Sequence, residues 1–388
     1  MNILRTLWDS LNQYAAHWLV VGLGTAILWN WRQWRQDRAL ALRLHAVHPA
    51  SPAPLLASPP APSPPLPKVS VLVAAWNEAA MIQRHIQSFL GLRYPDKELV
   101  LCAGGEDGTY DLACPYTGEQ VIVLEQRAGE GKQRALQRCL EQASGEVLFL
   151  SDADCLLDDA SFERTLQPLL DGREVATSGA SQPLPEQQSR PFVLHQWCAD
   201  LYVQAHTPDY IAGLLGRNCA VRRGALQAVG GFTAPVSTGT DYYLAKRLLR
   251  AGYAIRWVRD SVIATHYPDT WHSLWRRQSR WLRNLLLHGP RLDAYKEVGM
   301  ALRTSLAGWA MLLLPFLALV TGPVLLTLWA VLLAHAFLAR MRYARFAHLY
   351  QGVAIAWKQY ALTPLYLFAD FIAWATPLVD LLLRRHKW

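Results

Sequence analysis

Between Val69 and Asp154 short apolar runs alternate with longer amphipathic ones. VSVLVAAW (69–76) precedes AAMIQRHIQSFLGL, and KELVLCA (97–103) precedes DGTYDLA. QVIVLEQ (120–126) precedes GKQRALQRCLEQA, and EVLFLSDAD (146–154) closes the series. Aliphatic and β-branched runs of strand length, separated by helical patterns, predict βαβ units and a parallel sheet. Elsewhere the apolar runs are too long for strands. AAHWLVVGLGTAILWNW (15–31) is near the lower limit for a membrane helix, and three longer runs follow near the carboxyl end: 299–322, 323–339 and 361–383.

Charge orients these segments. Arg32, Arg35, Arg38 and Arg43 follow the first run, which marks its downstream side as cytoplasmic. The flank before it is weakly charged and no small-residue cleavage site follows, so it does not read as a signal peptide. Two further basic clusters, RMRYAR (340–345) and RRHKW (384–388), are separated by one apolar run, although both should face the cytoplasm. Either that run enters and leaves by one face, or the rule fails at the tail. The stretch 49–67 holds nine of the 23 prolines and reads as a stiff, extended spacer. The expected organisation is therefore a membrane anchor with its basic flank (1–47), a linker (48–67), a cytoplasmic folded domain (68–270), an amphipathic interface helix region (271–298) and a transmembrane region (299–388).

Composition narrows the class of partner. Of 388 residues 52% are hydrophobic, and the formal net charge is +8. The arginines cluster beside apolar segments and no aromatic-basic binding motif occurs, so anionic lipid rather than nucleic acid is the expected partner. Six cysteines lack CxxC or Cys/His spacing, which argues against zinc and fits reduced thiols facing a cytosol.

Ligands of parallel α/β sheets bind outside the carboxyl ends of the strands. Those ends carry Asn77-Glu78, Glu106-Asp107, Arg127 with Lys132, and Asp152 with Asp154. Carboxylates one residue apart can share a hard divalent cation, Mg2+ or Mn2+, although either aspartate could instead cap the next helix. Lys132 opens a helix, where a phosphate is readily bound. Asp158 and Asp159 read as loop or cap residues of SFERTLQPLL.

The ordered series VSVLVAAWNE, LCAGGEDGTYD, GKQRAL, SDADC, GRNCAVRRGALQAVGGF, TGTDYYLAKRLLRAGY and RRQSRW resembles the family 2 glycosyltransferases over residues 68–287. The resemblance implies a GT-A nucleotide-sugar-binding domain, a Rossmann-like mixed α/β sheet, between amino-terminal and carboxyl-terminal transmembrane helices. It implies inverting transfer of a sugar from a nucleoside diphosphate, UDP, to an acceptor hydroxyl. Ala74, Glu78 and Asp107 then hold the donor's nucleoside, with Glu106 a rival because Gly104-Gly105 departs from the Asp-Asp-Gly-Ser pattern. Lys132 lies near the diphosphate and Asp152 and Asp154 hold the metal.

Asp241 matches the general base, where a carboxylate takes the proton of the attacking hydroxyl. Thr240 stands where the family usually has a glutamate. Arg280 becomes a diphosphate contact and Trp281 a wall of the acceptor site. Arg277 at the first position of RQSRW is similar to ceramide glucosyltransferases, which points to a lipid acceptor. Asn218, His266 and His272 are further polar candidates on the acceptor side. In 271–286, Trp271, Leu274, Trp275, Gln278, Trp281, Leu282 and Leu285 are expected on one face of a helix, with Arg276, Arg277, Arg280 and Arg283 largely opposite. The competing expectations are a processive polysaccharide synthase and a membrane scaffold without chemistry.

Overall fold

The computed structural model describes residues 2–47, 66–234, 236 and 238–383. The tail RRHKW and all but the end of the proline-rich stretch lie outside the described residues. Two helices, α1 (Asn2–Gln13) and α2 (Ala15–Val47), precede β1 (Val69–Trp76), α3 (Ile82–Leu90), β2 (Lys97–Gly104), α4 (Thr109–Ala113), β3 (Val121–Glu125), α5 (Gly131–Gln142) and β4 (Val147–Asp152). Then come β5 (Cys155–Leu156), α6 (Asp159–Leu170), β6 (Ala176–Pro183), α7 (Pro191–His206), β7 (Cys219–Arg222), α8 (Arg223–Ala228), α9 (Thr240–Arg250), β8 (Arg256–Thr265) and α10 (Trp271–His288). Three long helices close the chain: α11 (Tyr295–Thr321), α12 (Pro323–Gln351) and α13 (Trp357–Leu382).

The chain divides into two compact units, one spanning Ala50–Glu186 and His206–Tyr267, the other Met1–Pro49, Gln187–Ala205 and Pro268–Trp388. The first is an α/β unit on an eight-stranded sheet in the order β3-β2-β1-β4-β7-β6-β8-β5. The alternating runs become the parallel half, in which β1 lies between β2 and β4 and β2 pairs with β3. The other half is mixed: β7 runs antiparallel to β4 and β6, while β6 and β8 are parallel. Strand periodicity distributes the core over two faces. Val71 and Val73 pack with Ile82, Ile86, Phe162 and Leu166 of α3 and α6, and Leu72 packs with Leu136 and Cys139 of α5 and Leu244 and Leu248 of α9.

One buried charge secures the amino end of the sheet. Glu98 of β2 is 5% exposed; it meets Lys68 at 2.8 Å and accepts hydrogen bonds from Ser70 Oγ (2.6 Å) and the Ser144 amide (2.6 Å). Burial raises its pKa, but Lys68 and these donors outweigh that and bring it down to about 2. A carboxylate depressed in the folded state adds stability above its unfolded pKa and loses it as pH falls through the folded value. Between pH 5 and pH 2 the stability advantage of wild type over Glu98→Gln should therefore shrink by about 3 kcal/mol, at about 1.4 kcal/mol per unit. Denaturation midpoints of both proteins across that range check it, and a constant difference would refute the assignment.

In the helical unit α2 and α12 run parallel. Thr327 Oγ1 donates to Ala15 O (3.2 Å), Asn30 Nδ2 meets His335 Nδ1 (3.1 Å), Asp37 meets Arg342 (3.2 Å) and His45 Nδ1 meets Tyr350 O (3.0 Å). The apolar first half of α2 thus lies along that of α12, and the basic second halves coincide. Among the described residues α11, α12 and α13 are long and apolar enough to cross a membrane. The expected span at 15–31 forms the start of a 33-residue helix that falls short of the same measure.

RMRYAR is not a loop between two spans but part of α12. Its Arg340 meets Asp370 of α13 at 2.5 Å, and its Arg342 meets Asp37 of α2; both acids are buried. These guanidiniums are neutralised inside the unit, which removes much of the conflict between the two basic clusters. The stretch 187–205, expected inside the catalytic domain, clusters instead with the helices, because α7 buries Val193, Leu194, His195 and Trp197 and His195 Nε2 lies 3.0 Å from Asp370 Oδ2.

Candidate active site

The site is assembled at the carboxyl ends of β1, β2 and β4. Register places Ala74 beside Cys102 on one side and Asp152 on the other. Directly beyond β1, Asn77 adopts φ 58°, a left-handed conformation that asparagine tolerates better than most residues. Its amide donates to Gly104 O (3.1 Å), and its Oδ1 accepts from the Glu106 amide (2.8 Å). This turn explains the departure at Gly104-Gly105. Gly105 has φ 122°, and a Cβ there would come 2.2 Å from Asn77 Oδ1.

Asp107 locks the two loops together. Its carboxylate accepts from the Ala79 amide (2.9 Å), the Thr109 amide (3.1 Å) and Thr109 Oγ1 (2.6 Å), while the Glu78 amide donates to that same hydroxyl at 2.7 Å. Burial raises the Asp107 pKa, but these donors together outweigh it and hold the group below its ordinary range. Glu106 is exposed beside it. Glu78 is half-buried, and its pKa is pushed up to about 8, first by burial and then by the charges of Asp154, Asp152 and Asp107.

Lys132, in the first turn of α5, forms an ion pair with Asp152 Oδ1. Burial opposes its charge, but Asp152, Asp241 and Asp154 outweigh that and raise its pKa. Asp241 itself lies in the first turn of α9, behind Gly239 at φ 75°, with Oδ1 accepting from the Tyr242 amide (2.9 Å). Gly216 stands directly against it: a Cβ there would be 2.9 Å from Asp241 Cβ. Asp152 and Asp154, Lys132 and Asp241, drawn from three separate motifs, are therefore neighbours.

Sequence reading missed two members of this neighbourhood. Arg217 is held charged, for although burial opposes it, Asp154, Cys155 and Asp152 raise its pKa further. It lay within the quoted GRNCAVRRG run, but only the fold brings it to the acids. His85 is fully buried and kept neutral by burial, with Nδ1 2.8 Å from the Cys155 carbonyl, directly after Asp154. Asp158 caps α6 through the Ser161 amide (2.9 Å) and Asp159 pairs with Arg93 (2.7 Å), as expected of loop and cap residues.

Asn218 requires a correction. It is fully buried; Nδ2 donates to Ala180 O (2.9 Å) and Ser261 Oγ (3.1 Å), and Oδ1 accepts from Thr165 Oγ1 (3.0 Å). With these groups engaged between strands, it braces the sheet and is not available to an acceptor. His266 is exposed, and its amide donates to Asp154 O (3.0 Å).

Arg280, Trp281 and His272 belong to α10 of the helical unit, where all three are exposed. The expected faces of this helix are partly exchanged. Trp271 and Trp281 are 42% and 55% exposed, whereas Arg283 is fully buried, 3.6 Å from Asp380 of α13. Gln278 Nε2 donates to Asp370 Oδ1 (3.1 Å), and Trp275 Nε1 to Thr376 Oγ1 (2.8 Å). A buried acid on the neighbouring helix, invisible to helical periodicity, turns an arginine inward.

Whether the acidic pair suits a divalent cation is decided by its donors. Asp152 and Asp154 present hard carboxylate oxygens whose fields converge on Glu78 and Arg217. No third metal-ligating side chain completes a cluster among the described residues. That donor set fits Mg2+ or Mn2+, which commonly take one or two carboxylates and complete their shells with phosphate oxygens and water.

A sequence profile described as Glycosyltransferase like family 2 matches residues 65–284. The chain is 28% identical over 232 residues to a probable glycosyltransferase of Bacillus subtilis, covering 56% of this chain and 55% of that one. It is 27% identical over 287 residues to a beta-monoglucosyldiacylglycerol synthase of Synechocystis, covering 69% and 58%. It is also 24% identical over 223 residues to a poly-beta-1,6-N-acetyl-D-glucosamine synthase of Staphylococcus epidermidis, covering 55% and 53%. The chain thus spans little more than half the length of these relatives. A mannosyltransferase from Pyrobaculum calidifontis, solved with GDP-Man and Mn2+, shares the fold at TM-score 0.53 and 19% identity, covering 97% of this chain and 99% of that one.

Proposed function

Because the chain belongs to glycosyltransferase family 2, we propose that it transfers a single sugar, with inversion, from a UDP-sugar to a hydroxyl of a membrane lipid. The observation that carries this reading is the gathering of Asp152, Asp154, Lys132 and Asp241 at the carboxyl end of one sheet. A divalent cation held by Asp152 and Asp154 would supply Lewis-acid stabilisation of the diphosphate leaving group. Lys132 and Arg217 add positive charge where the departing diphosphate gains negative charge, which favours the transition state over the ground state. Asp241 takes the acceptor's proton as the hydroxyl attacks the anomeric carbon from the face opposite the leaving group. Ala74, Glu78, Glu106 and Asp107 border the nucleoside end, with Asp107 acting through the loop it locks.

The lipid acceptor is supported by three apolar helices and by the Synechocystis relative, named for diacylglycerol glucosylation. The catalytic unit faces the cytoplasm in this reading, since α2 and α12 run parallel and end in coincident basic halves. A second reading, polymer synthesis, is favoured by the Staphylococcus epidermidis relative. The deciding experiment uses purified protein in lipid nanodiscs, with Mg2+ or Mn2+, UDP-sugars, GDP-mannose and extracted lipids, resolved by thin-layer chromatography. One glycolipid spot made from a UDP-sugar supports the proposal; a ladder or material at the origin supports the polymer, and product from GDP-mannose alone overturns the donor. Asp154→Asn should lower kcat about 100-fold and weaken Mn2+ binding, since removing one charged contact to a transition state typically costs that much. Mn2+ titration by electron paramagnetic resonance checks it, and unchanged Mn2+ affinity would remove Asp154 from the metal site.

A further inference from the structure

The helical unit carries a second charged feature that the transfer chemistry does not use. Where α2, α12 and the start of α13 meet, a cleft of about 430 Å³ is lined by Trp34, Arg38, Arg345, His348, Leu349 and Tyr360, with Ile355 from the connecting loop. Arg38 and Arg345 are exposed, and among the described residues neither has a carboxylate within ion-pairing distance. This contrasts with Arg340 and Arg342 one turn earlier, each neutralised by a buried aspartate. Arg345 instead stacks over Trp34 at 6.0 Å from the ring centroid. His348 is held by its Nδ1 at 3.0 Å from Val353 O, which leaves Nε2 for another partner.

The cleft's level in the unit identifies its ligand. The parallel pairing of α2 with α12 brings their apolar halves together, and Trp34, Arg38, Arg345 and His348 follow where both apolar stretches end. Tryptophan and arginine just beyond a hydrocarbon-length segment occupy the depth of lipid headgroups, where arginine binds phosphate bidentately. We propose that this cleft is a binding site for the phosphodiester headgroup of an anionic phospholipid. Arg38 and Arg345 clamp the phosphate, and Trp34 and Tyr360 flank the glycerol. The proposal rests on the reading of α12 as a membrane helix.

Full-length protein in nanodiscs of phosphatidylcholine with a minor fraction of phosphatidylglycerol tests this, with retained lipids counted by native mass spectrometry. Wild type should retain phosphatidylglycerol preferentially, and Arg38→Gln/Arg345→Gln should retain it about 30-fold less, two surface arginines being worth about 1 kcal/mol, or about fivefold, each. Arg38→Gln alone, an exposed change on one helix, provides a milder variant if the double one misfolds. Equal retention of both lipids by wild type, or undiminished retention by a folded variant, would overturn the proposal. So would inorganic phosphate raising the melting temperature in pure phosphatidylcholine discs as much as phosphatidylglycerol does, which would make the ligand a soluble anion. Incorporation into discs reports the membrane reading independently of lipid preference.

Discussion

Asp241→Asn should lower kcat about 1,000-fold, the middle of the range for a positioned general base, the role proposed for it, while sugar-donor affinity changes less than about threefold. The substitution keeps size and can keep the hydrogen bond from the Tyr242 amide. It removes the carboxylate's negative charge and with it the ability to accept a proton from the acceptor, the role proposed for it. Single-turnover transfer and calorimetric titration of the donor separate the two effects. A parallel loss of kcat and donor affinity would mean that Asp241 serves chiefly to balance Lys132, whose charge it supports. Gly216→Ala offers an independent approach, because its Cβ would press to 2.9 Å from Asp241 Cβ and displace the carboxylate without changing its chemistry. That variant should lose activity while retaining a pH profile shaped by a carboxylate.

The parts legible from sequence are those in which local pattern and tertiary role coincide. β1 to β4 are continuous aliphatic runs because both faces of a parallel sheet are covered, so strand and burial announce themselves together. The acids and Lys132 are legible because strand ends in such a sheet share one crevice. The remaining strands are not: β7 has four residues and β5 two, and β6 reads ATSGASQP, with little apolar content to mark it. Their pairing is decided by tertiary contacts such as the Asn218 brace. Arg217 was hidden for the same reason, since its relation to Asp154 exists only once β7 lies against β4. In the helical unit the averaging that reveals a membrane segment conceals single acids within it. Asp370 and Asp380 vanish into an apolar window, yet they decide which way Arg340 and Arg283 point.

Asp370 is where that concealment has its largest energetic consequence. The fully buried carboxylate of α13 receives Arg340 of α12 at 2.5 Å, His195 of α7 at 3.0 Å and Gln278 of α10 at 3.1 Å. Four helices therefore converge on one charge. Asp370→Ala would strand the Arg340 guanidinium, only 14% exposed, without its counter-ion and should cost about 3–5 kcal/mol, as breaking a buried pair typically does. Asp370→Ala/Arg340→Leu removes both charges and should recover much of that loss, because two apolar groups need no desolvated partner. Thermal melts of the wild type and both variants in nanodiscs give the comparison; a double variant no more stable than Asp370→Ala would contradict a paired charge as the main stabilising element. Activity carries a second reading. Gln278 lies two residues before Arg280 on the same helix, so loss of Asp370 also frees the segment bearing Arg280 and Trp281. If that segment contributes to transfer, the double variant should remain slow even where its melting temperature is restored, because no acceptor for Gln278 has been replaced.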